Sequence, residues 1–124
     1  MMDGFSINSV ALLIVFAAAA AVGAVARYGV GLILNRVFPW GTLSVNLVAS
    51  LVLGLTTGAD WGRTTTIVVG IGMLGALSTW STVANEAAVM ARSNEGHMAL
   101  AYLALTVLSG VVMAWIGLRV GAML

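Results

Sequence analysis

The sequence contains no cysteine, one proline, one histidine and few charges: five basic and four acidic side chains in 124 residues. Without cysteine there is neither a disulfide framework nor a thiolate metal site. The lone His97 has no nucleophile or metal ligand placed beside it, so the sequence offers no catalytic constellation. A single proline, Pro39, leaves one place where residue type alone must stop a helix. What the chain has instead is apolarity. Hydrophobic residues make up 61% of it and the mean hydropathy is +1.10, far outside the range of soluble domains.

The charges, at Asp3, Arg27, Arg36, Asp60, Arg63, Glu86, Arg92, Glu95 and Arg119, leave four long windows without ionisable groups: 4–26, 37–59, 64–85 and 98–118. About 20 helical residues, each rising roughly 1.5 Å, cross a hydrocarbon core, so each window is long enough to span it. The expectation is an all-α membrane protein, one domain over residues 1–124, with spans at about 6–28, 41–58, 65–90 and 98–119. The connections between them are too short to hold an extramembrane domain. Four spans place Arg63 and Arg119 on one side and Arg27, Arg36 and Arg92 on the other. That is almost no positive-inside bias. Two explanations stand open: insertion both ways round to form an antiparallel pair, or a topology decided by one or two residues.

A secretory signal fits the apolar run "VALLIVFAAAAAVGA", but its leader "MMDGFSINS" carries an Asp and no basic residue, where a signal needs a basic one. The first window therefore reads as a retained span. It ends near "GAVARYGVG", where Arg27 and Tyr28 mark an interface and Gly29 and Gly31 loosen the helix. Pro39 starts the second span just after itself, and Trp40 and Trp61 bracket that span as interfacial anchors. Small residues recur at Gly54 and Gly58, at Gly70, Gly72 and Gly75, and at Gly117 and Gly121, which points to closely packed helices.

Three polar constellations lie inside the spans. Asn46 is either helix glue or a pair of uncharged donors turned to an anion. Tyr102, Thr106 and Ser109 fall on one helical stripe; each Ser or Thr can bond its own backbone four residues back, whereas a buried phenol needs a partner outside its helix. In "GMLGALSTWSTVANE", residues 72–86, glycines and hydroxyls are concentrated mid-span. Either the helix is continuous and the glycines serve packing, or it breaks and frees carbonyls that can hold a cation. Glu86 closes that stretch, as a vestibule residue paired with a base or as a proton site.

The order of "GAVARY" at 23–28, "PWGTLSVNLVASLVLG" at 39–54 and "GMLGALSTWSTVANE" at 72–86, followed by the tyrosine and hydroxyl stripe, resembles the small bacterial fluoride channels of the CrcB or Fluc family. The resemblance covers essentially the whole chain. It implies four transmembrane helices with a broken third, and an antiparallel dual-topology homodimer in the bacterial cytoplasmic membrane. It also implies passive fluoride export through two pores, with one structural sodium ion at the dimer centre. By position, Asn46 matches the pore asparagine, Ser81 and Thr82 a hydroxyl pair, and Tyr102 and Ser109 the polar track. Thr106 joins that track by spacing. The resemblance places sodium on backbone carbonyls of Gly75 and Ser78, with Thr79 nearby, and puts Arg27 and Glu86 in the vestibule.

The departure lies at Trp80 and Val83, which stand where the family has two pore phenylalanines. An indole still offers an electropositive edge and an N–H; valine offers neither. The chain is thus either a homodimeric channel or one half of a heterodimer whose paired subunit supplies the aromatic. A small dual-topology multidrug exporter is the remaining alternative, but it needs a carboxylate in its first span, and residues 4–26 contain none.

Overall fold

The computed structural model describes residues 7–124. Residues 1–6, which hold the leader's Asp3 and the expected start of the first span at residue 6, lie outside it. We label the helices α1 (Ile7–Leu34), α2 (Trp40–Gly58), α3 (63–77), α4 (Trp80–Arg92) and α5 (Gly96–Gly121). α3 is composite: a turn of α-helix at Arg63–Thr65, a π-helical stretch Thr66–Leu74, and a last α turn Gly75–Leu77. Among the described residues four stretches are long and apolar enough to cross a membrane, with α3 and α4 together forming the third. The molecule is a helical, multi-pass membrane protein.

α1 is longer than its sequence expectation. Helical backbone runs through Gly29 and Gly31 to Leu34, so the loosening expected there does not occur. The stop comes from the 35–39 turn, where Pro39 acts as the N-cap of α2. Proline has no side-chain acceptor to offer the orphan amides of a first helical turn. Asn35 does this from four residues upstream of the proline: its Oδ1 accepts the Thr42 amide hydrogen at 3.1 Å.

α2 and α5 are joined through paired glycines. A Cβ on Gly54 would collide with the Ala114 carbonyl, and one on Gly117 with the Leu51 carbonyl; Gly58 and Gly121 repeat the pattern one turn further on. Close backbone approach of this kind is how small residues hold membrane helices together. α1 lies along α3 in the same manner, with Gly23 against the Met73 carbonyl and Gly72 against the Phe16 ring. α4 packs on α5 around a core of Leu43, Val83, Ala87, Met90, Ala99 and Tyr102. Much of the remaining apolar surface is exposed, as suits a chain solvated by lipid.

Candidate functional site

The helix stops at Leu77 and resumes at Trp80. Between them Ser78 (φ −85°, ψ 146°) and Thr79 (φ −155°, ψ 128°) are extended. In an unbroken helix the Thr79 amide would donate to the Gly75 carbonyl. Here it donates to Asn46 Oδ1 on α2, at 3.1 Å. This fixes which way the carboxamide points, because a backbone N–H bonds only the oxygen. Nδ2 is left with two donors and no partner among the described residues.

Asn46 lines a groove of about 370 Å³ between α2 and α5, together with Ser50, Ser78, Trp80, Thr106 and Gly110 among others. No charged residue lines it. On the other side of the break, a cleft of about 90 Å³ is lined by Ser50, Gly70, Leu74, Gly75 and Ser78 with Ala49 and Leu53. The carbonyls of Gly75, Ala76, Leu77 and Ser78 accept no hydrogen bond from the backbone that follows. Unpaired carbonyls at membrane depth suit a hard, singly charged cation. Among the described residues no cluster of three His, Asp or Glu side chains offers a transition-metal site. Thr79, the nearby candidate, gives its hydroxyl to a 2.8 Å pairing with Ser81.

A second constellation centres on Glu86. Oε1 accepts from the Thr42 hydroxyl at 2.7 Å and from Asn35 Nδ2 at 3.2 Å, and Oε2 accepts from the Tyr102 hydroxyl at 2.6 Å. Asn35 Nδ2 also donates to Thr42 Oγ1 at 2.9 Å, so the four side chains form one network joining the 35–39 turn to α2, α4 and α5. The basic partner expected for Glu86 is therefore replaced by neutral donors. Arg27 instead lines a neighbouring cavity of about 450 Å³ with Tyr28, Asn35, Thr42 and Thr82.

The structure separates residues that the sequence grouped together. Asn46, Trp80 and Thr106 share the groove, Thr82 lines the Arg27 cavity, and Ser81 is exposed. Val83, placed in the pore on resemblance, is 0% exposed and belongs to the core. Its α4 position points it at Leu43 and Tyr102, so it does not reach the groove. The hydroxyl stripe also reads differently. Thr106 donates to the Tyr102 carbonyl at 2.8 Å, Ser109 donates to the Leu105 carbonyl, and Tyr102 donates to Glu86. In apolar surroundings the carbonyl four residues back is the nearest acceptor, and both short hydroxyls take it. The phenol finds its partner on another helix.

Sequence reasoning missed Asn35, Thr42 and Ser50. The first two carried a usable signal: a proline N-cap cannot satisfy the amides after it, so an amide side chain shortly upstream is the natural substitute.

A multi-pass helical protein whose interrupted third span meets an oriented carboxamide beside an uncharged groove belongs to the membrane transport proteins. The chain is a member of the CrcB family: the family model described as CrcB-like protein, Camphor Resistance (CrcB), matches residues 13–118. It is 40% identical over 113 residues to a protein of Symbiobacterium thermophilum named fluoride-specific ion channel FluC 1, covering 83% of this chain and 91% of the relative. A Geobacillus kaustophilus protein with the same name is 40% identical over 102 residues, covering 80% and 88%. A Xanthomonas axonopodis protein, fluoride-specific ion channel FluC, is 35% identical over 112 residues, covering 82% and 83%. The family is one of ion channels, not enzymes, and membership sets the drug-exporter reading aside.

Proposed function

We propose that the chain is a fluoride channel that lets cytoplasmic fluoride leave by passive diffusion across the bacterial cytoplasmic membrane. The observation that carries this reading is the carboxamide of Asn46, whose oxygen is held by the Thr79 amide, leaving Nδ2 uncommitted on a residue that lines a groove without charged side chains. A small, strongly hydrated anion needs its water replaced by donors, whereas a fixed Lys or Arg would hold it in place. Trp80, 59% exposed at the groove, adds an electropositive ring edge.

The working unit in this reading is an antiparallel homodimer with two pores. The nearly even distribution of arginines supports insertion in both orientations. A sodium ion at the dimer centre would be held by the freed carbonyls of Gly75 and Ser78, where it supplies fixed positive charge and secures the helix break. The heterodimer reading rested on the aromatic missing at position 83. Since Val83 fills the core of its own chain, that substitution takes nothing from the groove, which favours the homodimer.

The test is fluoride efflux from liposomes containing the purified chain alone. Efflux supports the homodimer. Efflux that appears only on adding a paired homologous subunit supports the heterodimer, and none in either case overturns the channel.

A further inference from the structure

Ser50 lies four residues after Asn46 on α2, so the two side chains share a helix face with Cβ atoms about 5–6 Å apart. The serines and threonines around it mostly give their protons to a carbonyl three or four residues back: Ser44, Thr56, Thr57 and Thr66, then Thr106 and Ser109 across the groove. Ser50 does not. Its hydroxyl has no partner among the described residues, and no side-chain polar atom there is both buried and unpaired, so Oγ is at least partly accessible. Ser50 shares the wall of the groove with Asn46, and its Oγ lies toward Gly110 on the facing wall. Gly110 stands opposite, close enough that a Cβ there would lie in ordinary contact with Ser50 Oγ, at 3.6 Å.

We propose that Ser50 is a second anion donor, acting with Nδ2 of Asn46 on one fluoride ion seated between them. The inference rests on the fluoride-channel reading of the same groove. One carboxamide approaches an ion from one direction only, while stripping a small anion of water requires donors from several. Val107, Val111 and Ala114 on the facing wall have none, and the Thr106 proton is committed to its own helix. The spacing of i and i+4 side chains leaves room for one small anion hydrogen-bonded to both. Ser50 also borders the cleft beside Gly75 and Ser78.

Ser50→Ala removes the donor without breaking any bond within the fold. Fluoride efflux from liposomes is expected to fall about tenfold, the effect of losing one hydrogen bond to a charged group, with elution profile and unfolding midpoint unchanged. Because the chain has no cysteine, Ser50→Cys supplies a unique thiol. A small methanethiosulfonate reagent should then block efflux, and fluoride, but not chloride, should slow the modification. Wild-type efflux in Ser50→Ala, or modification indifferent to fluoride, overturns the inference and leaves the channel reading standing. A wild-type chain that passes no fluoride, alone or with a paired subunit, overturns the reading beneath it.

Discussion

The Thr79 amide donates to Asn46 Oδ1 over 3.1 Å, taking the place of the bond that the Gly75 carbonyl would accept in an unbroken helix. One contact therefore does two things: it supports the interruption in the third span and sets the direction of two free donors. Asn46→Asp separates them, because an oxygen remains for Thr79 while both N–H groups are lost. Fluoride efflux should drop at least about tenfold with folding retained. Asn46→Ala should lose efflux and also about 1–3 kcal/mol of stability, read by denaturant titration in detergent, because the Thr79 amide is left unpaired.

Tyr102→Phe tests the Glu86 network. The ring keeps its edge-on contact with Phe38, 5.4 Å between centroids, but the 2.6 Å bond to Oε2 disappears. A hydrogen bond to a carboxylate in a buried setting contributes about 1.5–3 kcal/mol, and unfolding should register a loss of that size.

Val83→Phe would restore an aromatic at a position that resembles a pore site. Since Val83 is 0% exposed among Leu43, Ala87 and Tyr102, the larger ring has to overpack the core. A stability loss of about 1–3 kcal/mol is expected, with no gain in efflux. Increased efflux would return position 83 to the pore.

Gly54→Ala sets a methyl against the Ala114 carbonyl and should destabilise the fold by about 1–3 kcal/mol or more, since the obstacle is backbone and cannot turn aside. Gly29→Ala is the control. Nothing lies within 4 Å of a Cβ there, and alanine favours helix over glycine by about 1 kcal/mol, so the unfolding midpoint should hold or rise.

Purification in an organic-cation salt in place of sodium should lower the unfolding midpoint, and sodium added back should restore it in proportion to the logarithm of its concentration, as for any ligand of the folded state. A midpoint indifferent to sodium would count against the carbonyl site at Gly75 and Ser78.

The membrane class and the positions of the helices follow from charge-free windows, which are a one-dimensional property of the chain. Glycine pairing was also legible, though not that Gly54 and Gly58 would meet Gly117 and Gly121 of the same chain. The stripe of Tyr102, Thr106 and Ser109 shows where periodicity stops being informative. It places hydroxyl oxygens on a face but does not say where their protons point, and two of the three point inward along the helix. Asn35 is a mixed case: its bond to the Thr42 amide was legible from the proline between them, whereas its bond to Glu86, 51 residues away, depends on packing.

The meshed glycines of α2 and α5 have a mechanical meaning. Asn46 and Ser50 stand on one of these helices, Thr106 and Gly110 on the other, and the two backbones abut one to two turns away at Gly54 and Ala114. The spacing of α2 and α5 is consequently set by main chain against main chain, which rotamer changes do not alter. At the end of the groove stand Ser78 and Thr79, extended rather than helical, with the Thr79 amide held by Asn46. In the fluoride-channel reading, a groove whose width is set by backbone contact discriminates by ionic radius without having to close.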